Sequence, residues 1–112
     1  MNKLCFLASL ALTVPLLSGT GSAAAAGAEL RLYTDRSQAG DSVPVPVPTE
    51  ERCVLVPNVF GSLSARNTSA RFIAGLYLSE DCEGDAIEIV YPTHSLDFLR
   101  RHRIASIKFV PD

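Results

Sequence analysis

The sequence is poor in the residues from which catalytic and metal centres are built. Of 112 residues, three are cysteine and two are histidine. Neither His94 nor His102 has a partner at metal-ligand spacing and no CxxC pair is present, so a structural zinc site has nothing to use. A glycine-rich phosphate loop is lacking too. Bases are not in excess: 10 lysines and arginines face 12 acids, which speaks against a nucleic-acid footprint. Beyond the N-terminal run, no apolar stretch approaches the roughly 18 residues needed to span a bilayer.

That first run has an order of its own. Lys3 supplies a charged start, Leu4 to Leu17 an apolar stretch, and Ala23, Ala24, Ala25 and Ala26 a small-residue cleavage region. This pattern predicts a secretory signal over residues 1–26 and a single domain over 27–112. The expectation is a secreted, extracellular monomer, not held at a membrane after cleavage. Cys5 precedes the apolar stretch, where an acylated lipoprotein cysteine cannot stand, and leaves with the signal.

Cys53 and Cys82 remain in a chain bound for an oxidising compartment, and a small domain with a limited core gains from a cross-link. A Cys53–Cys82 disulfide is predicted. In the chain-entropy view, closing such a loop stabilises by about 3–4 kcal/mol.

Apolar residues after the signal recur with a period of two rather than 3.6. Leu30 and Leu32, Val43, Val45 and Val47, Val54 and Val56, Ile87 and Ile89, and Ile107 and Phe109 each mark a short strand. Turn clusters separate them, around Gly40, Pro57-Asn58, Asn67 to Ser69, Gly84 and Pro92 to Ser95. About eight short strands in an all-β sandwich are expected. Ser95 to Arg103 has a weak helical pattern, read as a loop or single turn. Pro44, Pro46 and Pro48 deprive their strand of alternate N–H donors and mark it as an edge.

The chain also repeats itself. Leu32-Tyr33 to Gly40-Asp41 can be laid over Leu76-Tyr77 to Gly84-Asp85, and Thr68-Ser69-Ala70-Arg71-Phe72-Ile73 over Ala105-Ser106-Ile107-Lys108-Phe109-Val110. A tyrosine at a strand end can cover a folded hairpin whose glycine takes a positive φ, while a small serine lets the last strand approach it.

These residues resemble the βγ-crystallin superfamily, whose Greek-key motif carries an aromatic, four residues, an aromatic, one residue and a glycine, followed by a serine-rich last strand. Tyr33, Gly40 and Ser42 match in motif one (about 29–74), Tyr77 and Gly84 in motif two (about 75–110), with Ser69 and Ser106 on the last strands. Gln38 and Cys82 stand where the second aromatic belongs. The resemblance implies an all-β, βγ-crystallin-like Greek-key sandwich of two four-stranded motifs.

Many microbial members of that family bind calcium through paired acids or amides before a Ser/Thr-Ser ending. Here Ser64 to Ser69 lacks those acids and Arg101 to Ser106 carries cations instead, which is unfavourable for a dication. The remaining calcium candidates are Glu80, Asp81, Glu83 and Asp85, in a hairpin that reads first as a solvated turn. No other cofactor is expected. Arg100, Arg101, His102 and Arg103 read as an exposed basic turn, with a sulfate or carbohydrate patch as the functional alternative.

Thr93-His94-Ser95-Leu96-Asp97 holds the residue types of a hydrolytic triad, but near neighbours cannot place a base between nucleophile and acid. No enzyme is expected. Asn67-Thr68-Ser69 satisfies a glycosylation sequon. The leading expectation is a non-enzymatic binding or structural module with an extracellular partner. The resemblance adds an alternative, inhibition of a metalloprotease, with Val54 and Leu55 beside Cys53 as the inhibitory segment; against it, a backbone paired inside a sheet cannot enter a protease cleft.

Overall fold

The computed structural model describes residues 27–112; the predicted signal, residues 1–26, lies outside the described residues. The elements are β1 (Glu29–Asp35), β2 (Ala39–Pro46), β3 (Arg52–Asn67), β4 (Phe72–Tyr77), β5 (Glu88–Val90) and β6 (Ser95–Pro111). They form one antiparallel six-stranded sheet in the order β2-β1-β3-β6-β4-β5. The fold is all-β among the described residues.

Six strands replace the expected eight because β3 and β6 are long, 16 and 17 residues, and each takes two roles. The first part of β3, Arg52 to Leu55, pairs with Phe109 to Ser106 at the end of β6; its last part, Ser64 to Asn67, pairs with β1 and with Ser95 to Asp97 at the start of β6. Between these parts the register shifts twice. Val56-Pro57-Asn58-Val59 forms an extra loop in β3, and Phe98-Leu99-Arg100-Arg101 forms one in β6. Such bulges unpair residues and redirect a strand. The weak helical pattern over Ser95 to Arg103 is thus corrected: the segment is strand, and the inserted residues of the second bulge break the period of two.

The alternating apolar positions fill the core. Leu30, Leu32, Ala65, Ala74, Leu76, Ile104, Ile107 and Phe109 are fully buried, with Val45, Val56, Val90 and Phe98 nearly so. Each large side chain buried in this way contributes about 1.5–3 kcal/mol. Two bulge residues, Val56 and Phe98, belong to this core, so each bulge is anchored inward by one apolar side chain. β2 lies at the end of the sheet, where Pro44 and Pro46 can sit because a strand with one neighbour does not need every N–H.

Candidate functional site

The internal repeat is visible in the register. Tyr33 pairs with Ser64 and Tyr77 with Ser106; Leu32 pairs with Ala65 and Leu76 with Ile107; Leu30 pairs with Asn67 and Ala74 with Phe109. Each tyrosine is followed by a hairpin that folds back on the paired serine. Ser64 Oγ donates to the Asp35 carbonyl at 2.6 Å and accepts from the Gln38 N–H at 3.1 Å. Ser106 Oγ donates to the Ser79 carbonyl at 2.6 Å and accepts from the Cys82 N–H at 3.0 Å. Both serines are fully buried, and each hydroxyl gives one carbonyl and one N–H of its hairpin a partner.

Gln38 and Cys82 both have φ near +55°, and Gly40 and Gly84 have φ of 81° and 83°. The glycines are where the sequence places them. A Cβ on Gly40 would overlap the Thr34 hydroxyl, whereas one on Gly84 would meet open space. A Cβ on Gly75 would meet both the Tyr77 ring and the Ala86 methyl, at 3.4 Å each.

Ser69 is a correction. It is buried, but its hydroxyl accepts from the N–H groups of Arg71 and Phe72 and caps the turn before β4. The counterpart of Ser106 is Ser64, and the better overlay sets Leu63-Ser64-Ala65-Arg66 against Ala105-Ser106-Ile107-Lys108. The spacing from each tyrosine could have found it, being nearly equal for Tyr33–Ser64 and Tyr77–Ser106.

Asn67 is the asparagine of the sequon. It is fully buried, its Nδ2 donating to the carbonyls of Phe72 and Val90 and its Oδ1 accepting from the Ser69 N–H. A nitrogen so engaged carries no glycan in the folded protein.

The two hairpins differ in how they are tied to the opposite bulge. Hairpin one meets the β6 bulge through arginines. Arg36 donates from Nε to the Phe98 carbonyl and from Nη2 to the Leu99 carbonyl, at 3.2 and 2.9 Å. Arg101 reaches back from the bulge to the Thr34 carbonyl at 2.8 Å, and the Ser37 N–H donates to Asp97 Oδ1 at 2.9 Å. The basic turn is therefore partly structural, not merely solvated.

Hairpin two is tied to β3 by the Cys53–Cys82 disulfide, with Cα atoms 6.1 Å apart. The register gives Arg36 and Arg101 the counterparts Glu80 and Val59, and neither bridges the junction by a hydrogen bond among the described residues. An open cleft of about 570 Å³ lies there, lined by Val59, Leu78 and Ala105 with Glu80, Arg101, His102 and Arg103. His102 Nε2 lies 3.1 Å from Glu88 Oε2, and its ring centroid 5.5 Å from that of Phe98.

The calcium candidates are not assembled. Among the described residues no three His, Cys, Asp or Glu side chains could hold a metal ion, and Glu80, Asp81, Glu83 and Asp85 are exposed along their hairpin. That expectation is corrected by the chain path, which strings the acids out rather than turning them inward. Elsewhere Arg31 Nε donates to Glu29 Oε2 at 2.7 Å, which raises the guanidinium above its ordinary value; already fully charged, it adds no pH dependence.

Val54 and Leu55 lie in the first part of β3, paired with Ile107 and Ser106. The pairing is one-sided: no strand adjoins their other edge among the described residues, and Leu55 is 60% exposed. No helix is long and apolar enough to cross a membrane among the described residues. No known family, curated protein or solved structure matches the chain.

Proposed function

We propose that this chain is a secreted, non-enzymatic binding module built as two βγ-crystallin-like Greek-key motifs. The observation that carries this reading is the doubled serine bracket. Ser64 and Ser106 make the same two bonds to hairpins that share a positive φ at Gln38 and Cys82 and at Gly40 and Gly84, and the long strands exchange their first parts between the halves. A duplicated scaffold with a disulfide at its surface suits a protein that must persist outside the cell. The non-enzymatic role is supported by the two histidines, neither of which holds a nucleophile among the described residues: His94 Nδ1 lies 2.8 Å from the Pro92 carbonyl and His102 Nε2 3.1 Å from Glu88 Oε2.

Expression with residues 1–26 intact, followed by mass spectrometry of the medium and the cell pellet, tests export. A chain beginning near Gly27 and lighter by two hydrogens is expected in the medium. Retention in the cells as the full-length chain with all three cysteines reduced overturns the reading.

Protease inhibition stays as a second reading because of the one-sided pairing of Cys53 to Leu55. An edge strand next to a disulfide can offer its free backbone to a cleft that binds extended chains, and the cross-link lowers the ordering entropy lost on binding. Titration of the oxidised protein into a thermolysin-type metalloprotease and a serine protease decides it. Stoichiometric loss of activity supports inhibition; undiminished activity or steady cleavage of the chain removes it.

A further inference from the structure

We infer that the cleft between the β3 bulge and hairpin two is a binding site for a small aliphatic carboxylate. The first observation is backbone strain. Val59, on the cleft wall, has a φ of 44° and follows Asn58 at 58°. A β-branched residue in the left-handed region is a true outlier, and such strain persists only where the surroundings enforce it, often at ligand sites. Glycine would relax this position, yet the chain keeps an isopropyl group on the cleft wall.

The second observation is chemical. Val59, Leu78 and Ala105 supply an apolar lining, and Leu78 is 56% exposed although large and hydrophobic. The rim carries Arg101, Arg103 and His102 against the single carboxylate of Glu80. Arg101 is tethered through Nη1 to the Thr34 carbonyl, which holds the head of its side chain in place. His102 is occupied by Glu88. Arg103 is exposed and makes no hydrogen bond or ion pair with the described residues, so a fixed cation and an uncommitted one stand beside an apolar lining.

The third is the comparison with the other junction. There Arg36 and Arg101 reach across to backbone carbonyls. Here Glu80 and Val59 stand in the corresponding places and the space is larger than the one of about 350 Å³ beside Ser37, Gln38 and Asp97 at the other junction. The cleft's volume, about 570 Å³, falls in the roughly 300–1,000 Å³ range of small-molecule pockets. An apolar tail on Val59 and Leu78 with its carboxylate toward Arg101 and Arg103 matches both the shape and the charge.

Sodium octanoate and its uncharged isostere octanamide, titrated at constant ionic strength into the purified, oxidised protein and followed by amide NMR shifts, test the site. Saturable octanoate shifts confined to residues 59, 78, 80 and 101–105 are expected, with a dissociation constant on the order of 1 mM for about ten non-hydrogen atoms in an open cleft. Octanamide is expected to bind at least tenfold more weakly, and Arg103→Gln to bring octanoate down to that level. Val59→Gly separates binding from structure: it should weaken octanoate several-fold without lowering the unfolding temperature. Equal binding of the two ligands, shifts spread over the exposed apolar residues Ile89, Tyr91 and Leu99, or no shift at 10 mM overturns the inference. Each result is independent of whether the protein is exported.

Discussion

Hairpin one and hairpin two present the same mechanical problem, a loop folded back onto the strand beside it. Each is bracketed by a buried serine, but the tie to the opposite bulge differs. Hairpin one relies on Arg36, Arg101 and Asp97, whose side chains occupy the junction. Hairpin two relies on the Cys53–Cys82 bond, which makes its tie outside the cleft lining. The covalent tie thus relieves Glu80, Leu78 and Val59 of any holding duty. The difference teaches that the disulfide does more than stabilise a small domain: with it in place, the wider of the two junction clefts needs no side chain to bridge it.

The largest expected effect separates the inner ends of the halves, where Asn67 in one corresponds to Phe109 in the other. Asn67→Asp sets a carboxylate against the carbonyls of Phe72 and Val90, with no water to solvate it. A loss of about 3–5 kcal/mol is expected at neutral pH. The new carboxyl would have its folded-state pKa raised, because only its protonated form can donate to a carbonyl. Its penalty should therefore shrink as pH falls through that raised value and be greatest above it. Urea unfolding at several pH values checks this, and a pH-independent penalty would contradict the assigned hydrogen bonds.

Removing the disulfide comes next. Cys53→Ser with Cys82→Ser should lower stability by about 3–4 kcal/mol by freeing the loop in the unfolded chain. Amide exchange in the folded variant should rise over residues 78–85 and stay unchanged over 35–41, since hairpin one keeps its arginines. Equal loosening of both hairpins would show that the two ties are not separate.

Much of this arrangement was readable from the residues, and the unreadable part has a physical reason. Alternation at Leu30 and Leu32 and at Ile107 and Phe109 gave strands and core together, because a period of two on a one-sided sheet fixes which face is buried. The glycines at 40 and 84 marked the hairpins, since a positive φ has a residue signature. Serine has no such signature. Ser62, Ser64 and Ser69 are all buried, and only three-dimensional register tells the hairpin bracket from the turn cap. The bulges were invisible because inserted residues break the very periodicity by which strands are found, so Ser95 to Arg103 looked weakly helical. The junction cleft draws on three separate stretches of chain, and nothing local announces it.

The serine brackets themselves offer a smaller and sharper comparison. Ser64→Ala and Ser106→Ala each remove two part-buried hydrogen bonds, for about 1–3 kcal/mol apiece. In the oxidised protein Ser106→Ala should be the milder, because the disulfide still holds Cys82 near its place. Reduction should widen the effect of Ser106→Ala and leave that of Ser64→Ala unaltered. Thermal unfolding of both variants with and without reductant reads this coupling directly.

The smallest difference concerns the glycines. Both need φ above 80°, which alone makes alanine unfavourable by about 1 kcal/mol. At Gly84 nothing lies in the way of a Cβ, so Gly84→Ala should lose about that much and no more. At Gly40 the methyl would overlap the Thr34 hydroxyl, which accepts from the Asp41 N–H at 3.0 Å. Gly40→Ala must displace that hydroxyl and break its bond, and the Thr34 carbonyl beside it is the anchor of Arg101. Its loss should exceed that of Gly84→Ala by a further 1 kcal/mol or so, the contribution of one hydrogen bond. Adding Thr34→Ala removes the obstructing hydroxyl, so the double variant should be less destabilised than the sum of the two single changes. Strict additivity would mean that backbone conformation alone governs both hairpins and that the arginine tie is indifferent to how hairpin one is packed.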